Sequence, residues 1–168
     1  LQLRQADIKN PILLLEGFFD ATELAEIVAN NLWIVIHAEW QLAILLAAKL
    51  AKPVHIWLKL DSGMHRIGFL QQAYQQAYLE LAGHANVASI IHMTHFANAD
   101  VLSSTHTNQQ ISLFEQTVEN LPAEEISFAN SAAVLNWPQT YRNWSRPGIM
   151  LYGANPVAGN TVQLRPVM

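Results

Sequence analysis

Six short runs of apolar residues recur along the chain, and helical stretches separate most of them. The runs are Pro11–Leu15, Leu32–His37, Val54–Leu58, Ala88–Thr94, Glu125–Ala129 and Ile149–Tyr152. They are continuous rather than alternating, so each reads as a strand buried on both faces, the pattern of a parallel sheet. The segments between them carry helix signals. Asp20, with Glu23 three residues later, makes a capping box for a helix over Ala21–Ala29. Further helices are expected at about Glu39–Ala51, Leu70–Gly83, Asn108–Asn120 and Ser131–Leu135. Strands that alternate with helices specify an α/β fold with a parallel sheet. An open doubly wound sheet and a (β/α)8 barrel both satisfy this pattern. The stretch from Ala154 to Met168 reads as loop.

Composition narrows the function. Charged residues make up 13% of the 168, against about 25% in an average soluble domain. A chain so lightly charged is expected to bury many elements on two sides. The net charge of −4 and the lack of a basic block argue against nucleic acid or an acidic membrane as partner. The longest apolar run, Leu42 to Ala48, is too short to span a bilayer. There are no cysteines, which excludes disulfides, thiolate metal sites and a cysteine nucleophile. No signal peptide is visible, and a cytoplasmic location is expected. No G-x-G-x-x-G or P-loop occurs, which weakens a nucleotide-binding reading. The chain starts at Leu1 rather than at methionine and is expected to be part of something longer.

Ligand-binding groups of a parallel α/β fold gather beyond the carboxyl ends of the strands. The unusual residues of this chain stand there repeatedly. The third run ends in Lys59-Leu60-Asp61-Ser62-Gly63-Met64-His65-Arg66-Ile67-Gly68, and the fourth in His95-Phe96-Ala97-Asn98-Ala99-Asp100. The fifth ends in Ala129-Asn130-Ser131-Ala132-Ala133, and the sixth is entered through Arg146-Pro147-Gly148-Ile149. His92 and His95 are three apart, which on a strand puts them on opposite faces, so no zinc pair is read there.

These four segments resemble, in order, successive signatures of the alanine racemase barrel. Pro11 to Phe19 also resembles that family, particularly its Gram-negative bacterial branch. The resemblance covers nearly the whole chain. It implies a partial (β/α)8 TIM barrel of about six parallel strands, equivalent to the family's third through eighth. Residues 1–153 would form the barrel portion and 154–168 a linker toward a C-terminal β domain. Two family features have no counterpart here: the first-strand lysine of a V-K-A-N-A-Y-G-H-G type motif, and the catalytic tyrosine of the C-terminal domain. The first two strands are likewise expected to lie outside the chain.

The resemblance assigns roles residue by residue. Arg66 would touch the substrate side of the cofactor, where its planar fork suits a carboxylate or phenolate; the plainer reading is a surface arginine paired with Asp61. Lys59 would be carbamylated and orient Arg66; the plainer reading is a lysine snorkelling from the barrel mouth. His95 would hydrogen-bond Arg146, or simply be a satisfied core histidine. Ser131, Gly148 and Ile149 would hold the phosphate of pyridoxal 5′-phosphate, with Leu15 as a further cofactor contact. For Ser131 the plainer reading is a helix N-cap. Arg146 would stand beside the pyridine nitrogen, where a group that does not readily give up a proton weakens the electron sink and favours simple proton exchange at Cα over transamination. Arg146 also reads as a structural arginine.

The activity so implied is interconversion of L-alanine and D-alanine by a homodimer, supplying D-alanine for peptidoglycan. The isolated chain would be inactive, since both proton-transfer bases lie outside it. The rival reading is a non-catalytic pyridoxal-phosphate-binding barrel protein of the same fold. A barrel closes to remove sheet edges and takes about 250 residues. Six strands alone would leave edges at Pro11–Leu15 and Ile149–Tyr152, open to pairing with other chains.

Overall fold

Each apolar run up to residue 129 becomes a strand, and the strands line up in chain order. The computed structural model describes residues 1–122 and 125–167. Its six-stranded sheet runs β1 (Ile12–Leu14), β2 (Leu32–Ile36), β3 (Val54–Lys59), β4 (Val87–Met93), β5 (Glu125–Asn130) and β6 (Trp144–Arg146). All neighbouring pairs are parallel. The helices are α1 (Gln2–Gln5), α2 (Glu23–Ala29), α3 (Glu39–Ala47), α4 (Gln71–Leu81), α5 (His106–Val118) and α6 (Ser131–Asn136). Helix α1 carries no core signal. Arg4 holds it against the end of α2 by donating to the carbonyls of Asn30 and Asn31. The tail has no regular structure from Ala154 to Val167, and Met168 lies outside the described residues.

The sixth strand is not where the apolar run is. Ile149–Tyr152 forms a 3₁₀ helix with no buried residue, and the strand is Trp144–Arg146. Pro147 has no N–H for a ladder and ends the strand before the run begins. The turn that follows closes through Leu151 N–H to Gly148 O and Gly153 N–H to Met150 O. The second open edge is therefore Trp144–Arg146. The capping box at α2 is displaced too: Thr22 is the N-cap. Asp20 accepts from the Thr22 N–H and hydroxyl, while Glu23 reaches back to the N–H of Phe19.

Side-chain alternation along the strands separates two faces. Ile34, Ile36, Ile56, Leu58, Ile90 and Phe128 point to one, and there they pack with residues of α2 to α6 in the main core. Val35, Trp57, Ile91 and Met93 point to the other, joined by Leu13, Trp33 and Trp144. All five helices in the core lie on one side, which is the barrel arrangement rather than the doubly wound one. The sheet also curls. Trp33 on β2 and Trp144 on β6 are four strands apart, roughly 19 Å in a flat sheet, yet their rings meet edge to face at 5.6 Å. Trp57 contacts Trp144 at the same separation.

Candidate active site

The inward periodicity that places the tryptophans also places the chemistry. Two residues beyond Trp57 on β3 comes Lys59; two beyond Ile91 comes Met93, and His95 follows; two beyond Trp144 comes Arg146. These side chains reach a cavity of about 770 Å³ at the carboxyl ends of the strands. Its lining includes Leu15, Glu16, Lys59, Arg66, Met93, His95, Arg146, Gly148 and Leu151. Six residues expected at the site therefore meet: Leu15, Lys59, Arg66, His95, Arg146 and Gly148. Ser131 and Ile149 are not in the lining. Ser131 adjoins it, since its hydroxyl accepts from the Met150 N–H at 3.3 Å. Ile149 directly follows Gly148 and is half exposed. Ser131 and Gly148 thus lie at the same end of the sheet.

Arg146 is held from several sides. Its guanidinium donates to the Ser127 hydroxyl, to Thr94 O at 2.6 Å and to Phe128 O at 3.3 Å, and stands 3.4 Å from His95 Nδ1. Burial lowers its pKa to about 10. His95 is pushed down to about 4, first by burial and then by Arg146, Lys59 and Arg66. It is a neutral ring at pH 7, accepting from Arg146. Lys59 is 4% exposed. Burial, then the charges of Arg66 and Arg146, bring it down to about 8, against a smaller opposing pull from Asp61. The lining sets three cations against one carboxylate, Glu16.

Arg66 rides on a rigid excursion. The backbone leaves β3 after Lys59 and returns at once, with Phe69 N–H donating to Lys59 O and Asp61 N–H to Phe69 O. Asp61 Oδ1 accepts from the N–H groups of Gly63, Met64 and His65. Those bonds and the His65 ring hold the Asp61 carboxyl below its ordinary pKa against the opposing effect of burial, the largest single influence on it. Among the described residues its ion-pair partner is His65, at 3.4 Å, and not Arg66. At Gly68, φ is +132° and a Cβ would come within 2.7 Å of Asp61 N, so only glycine closes the loop.

At α6 the N-cap is Asn130, whose Oδ1 accepts from the Ala133 N–H; Ser131 is the first helical residue. His92 faces the helices, with Nδ1 2.5 Å from the Tyr74 hydroxyl, while His95 faces the cavity. Sequence reasoning missed His37, which lines the cavity just past β2; the strand-end rule that found His95 applies to it equally. It also missed Ser127, whose inward position follows from the alternation along β5. Among the described residues no helix is long and apolar enough to cross a membrane.

The family model described as alanine racemase, N-terminal domain, matches residues 1–156. The alanine racemase of Pseudomonas syringae pv. syringae is 51% identical over 171 aligned residues, covering 100% of this chain and 48% of that protein. The catabolic alanine racemase of Pseudomonas putida is 50% identical with the same coverage. The crystal structure of the biosynthetic alanine racemase from Pseudomonas aeruginosa superposes with a TM-score of 0.92 at 40% identity, covering 98% of this chain and 47% of that one. The chain thus spans about half the length of the curated relatives it matches. With a curled parallel sheet, helices on its outer face and a cavity at the carboxyl strand ends, the chain belongs to the alanine racemase family, within its N-terminal domain.

Proposed function

We propose that this protein binds pyridoxal 5′-phosphate in the cavity described above and serves the interconversion of L-alanine and D-alanine. The observation that carries the reading is the convergence of Lys59, Arg66, His95 and Arg146 on one cavity. The donor set fits the group: three cations answer its anionic substituents, and Met93, Leu151 and Leu15 offer apolar surface to a flat ring. Ser131, Gly148 and Ile149 would take the phosphate, at the place where barrel enzymes commonly hold one.

When bound, pyridoxal phosphate acidifies the Cα hydrogen of an amino acid. Arg146, with a pKa of about 10, keeps its proton at neutral pH and would offer an N–H to the ring nitrogen without protonating it. His95 and Ser127 fix the guanidinium in that attitude. Arg66 orients the substrate side. Lys59, with a pKa near 8, holds roughly a tenth of its population as free amine at pH 7. That amine can add to carbon dioxide: its nitrogen lone pair forms an N–C bond as one C=O π bond opens, a proton leaves to solvent, and the resulting carbamate anion would steady Arg66.

Neither proton-transfer base of the family motif lies in these 168 residues, so the polypeptide alone is inactive; the complete enzyme is a homodimer. Its place is the cytoplasm, where D-alanine feeds peptidoglycan synthesis. Residues 1–153 constitute the barrel portion, equivalent to strands three to eight, and 154–168 lead toward a β domain.

Titration with pyridoxal phosphate, followed by tryptophan fluorescence, tests the site. Binding is expected, weakened about tenfold or more by Arg146→Ala. Affinity indifferent to both Arg146→Ala and Ser131→Ala overturns it. The polypeptide with added cofactor is expected to convert no L-alanine; turnover near that of a full-length racemase overturns the assignment of the bases.

A further inference from the structure

Two buried glutamines on alternate helices each make three bonds that bridge neighbouring loops at the mouth of the sheet. Gln110, on α5, is fully buried. Its Oε1 accepts from the Ala97 N–H at 2.9 Å. Its Nε2 donates to the Ser62 hydroxyl at 3.3 Å and to His95 O at 3.1 Å. Ser62 lies in the loop after β3 that carries Arg66, while His95 and Ala97 lie in the loop after β4. Gln41, on α3, is also fully buried. Its Oε1 accepts from the His37 N–H at 3.0 Å, and its Nε2 donates to Glu16 O at 2.9 Å and Phe18 O at 3.1 Å. It joins the loop after β1 to the loop after β2.

The likeness extends to the packing. Each glutamine sits beside a glycine with positive φ in the earlier loop of its pair. A Cβ on Gly17 would lie 2.7 Å from Gln41 Nε2, and one on Gly63 would lie 3.5 Å from Gln110 Cγ. An amide offers two donors and one acceptor oxygen, and all three functions are used in each case. Burying a polar side chain in an apolar core is costly unless it is fully bonded. A structural contact between helix and sheet needs no amide, and half of the buried positions of α3 and α5 are filled by leucine, isoleucine and phenylalanine. What the amides accomplish, and an apolar side chain would not, is to fix one loop against the next.

We propose that Gln41 and Gln110 are positioning residues, clasps that join the four rim loops in two pairs and set Arg66 against His95 and Glu16 against His37. Neither touches the cavity itself. Gln110 also reaches the hydroxyl pair Ser62–Thr94, 2.7 Å apart, and Thr94 O is one of the acceptors of Arg146. The clasp on α5 therefore connects with the supports of all three site residues, Arg66, His95 and Arg146. The proposal rests on the reading of the cavity as a cofactor site for one of its two readouts only.

The test compares Gln110→Met with Gln75→Met. Gln75 ties α4 to Thr117 O on α5, away from the cavity, and measures what losing a helix-surface amide does to stability alone. The first readout is the titration of the His95 ring by NMR, which depends on the placement of Arg146, Lys59 and Arg66 around it. The second is affinity for pyridoxal phosphate. Gln110→Met is expected to move the His95 pKa up from about 4 toward its ordinary range and to weaken cofactor binding about tenfold. Gln75→Met is expected to change neither. Gln41→Met is expected to move the His37 ring resonances and leave the His95 titration in place. If Gln110→Met matches Gln75→Met in both readouts, the glutamine is only structural and the proposal falls. Should Gln110→Met not fold, Ser62→Ala, which cuts one bond of the clasp, is read the same way. If the unaltered protein fails to bind pyridoxal phosphate, the cofactor reading falls while the His95 titration still decides the clasp.

Discussion

His95 and Lys59 both pass from water into a cluster of positive charge when the chain folds, and both have lowered pKa values, about 4 and about 8. The unfolded chain then binds more protons than the folded one wherever the pH lies between the two values of a group. Stability rises with pH across that window. For His95 the window runs from about 4 to its ordinary 6.5; for Lys59 it runs from about 8 to 10.5. Acidification from pH 6.5 to 4 is thus expected to destabilise the fold through His95 by on the order of 2 kcal/mol. Urea unfolding at a series of pH values, compared with His95→Gln, measures it. The variant should show a flatter dependence in that interval, and parallel curves would show that His95 does not sense the cluster.

At the scale of elements, one side chain substitutes for a missing cap. Helix α3 ends in an extended Ala48, with neither a glycine nor a basic residue in its last turn. Asn86, just ahead of β4, donates from Nδ2 to both Leu45 O and Ala48 O at 2.8 Å and is 7% exposed. Carbonyls left unpaired at a buried helix end are costly. Asn86→Ala is therefore expected to lower stability by about 2 kcal/mol, read from thermal or urea unfolding, with pyridoxal phosphate affinity unchanged because α3 ends at the far pole from the cavity. Contacts of this kind join residues 38 or more positions apart, and no local pattern announces them. Local pattern did announce β1 to β5, since each coincides with a short continuous apolar run between helical stretches. It failed at β6, where Trp144-Ser145-Arg146 is short and polar, and an edge position asks for no apolar run. It failed again at Ile149–Tyr152, whose composition suits a strand but whose preceding Pro147-Gly148 does not.

For the whole molecule, the strand–helix pattern alone left two architectures open; the family resemblance implied the barrel, and the side on which the helices pack bears it out. Most of the site was legible because strand ends and family signatures coincide; the glutamine clasps were not, since a buried glutamine looks in sequence like any polar helix residue. The curled sheet has two margins. Among the described residues, β1 and β6 each pair on one side only, and exposed parallel margins recruit other chains. Light scattering on the 168-residue polypeptide is expected to show species heavier than one chain. A monodisperse monomer of single-chain mass that unfolds cooperatively would contradict this. Curvature has a further consequence, an optical one. Trp33, Trp57 and Trp144 touch only because the sheet bends, so their transition dipoles couple, and the near-ultraviolet circular dichroism of the protein becomes a gauge of how far the half-barrel is closed.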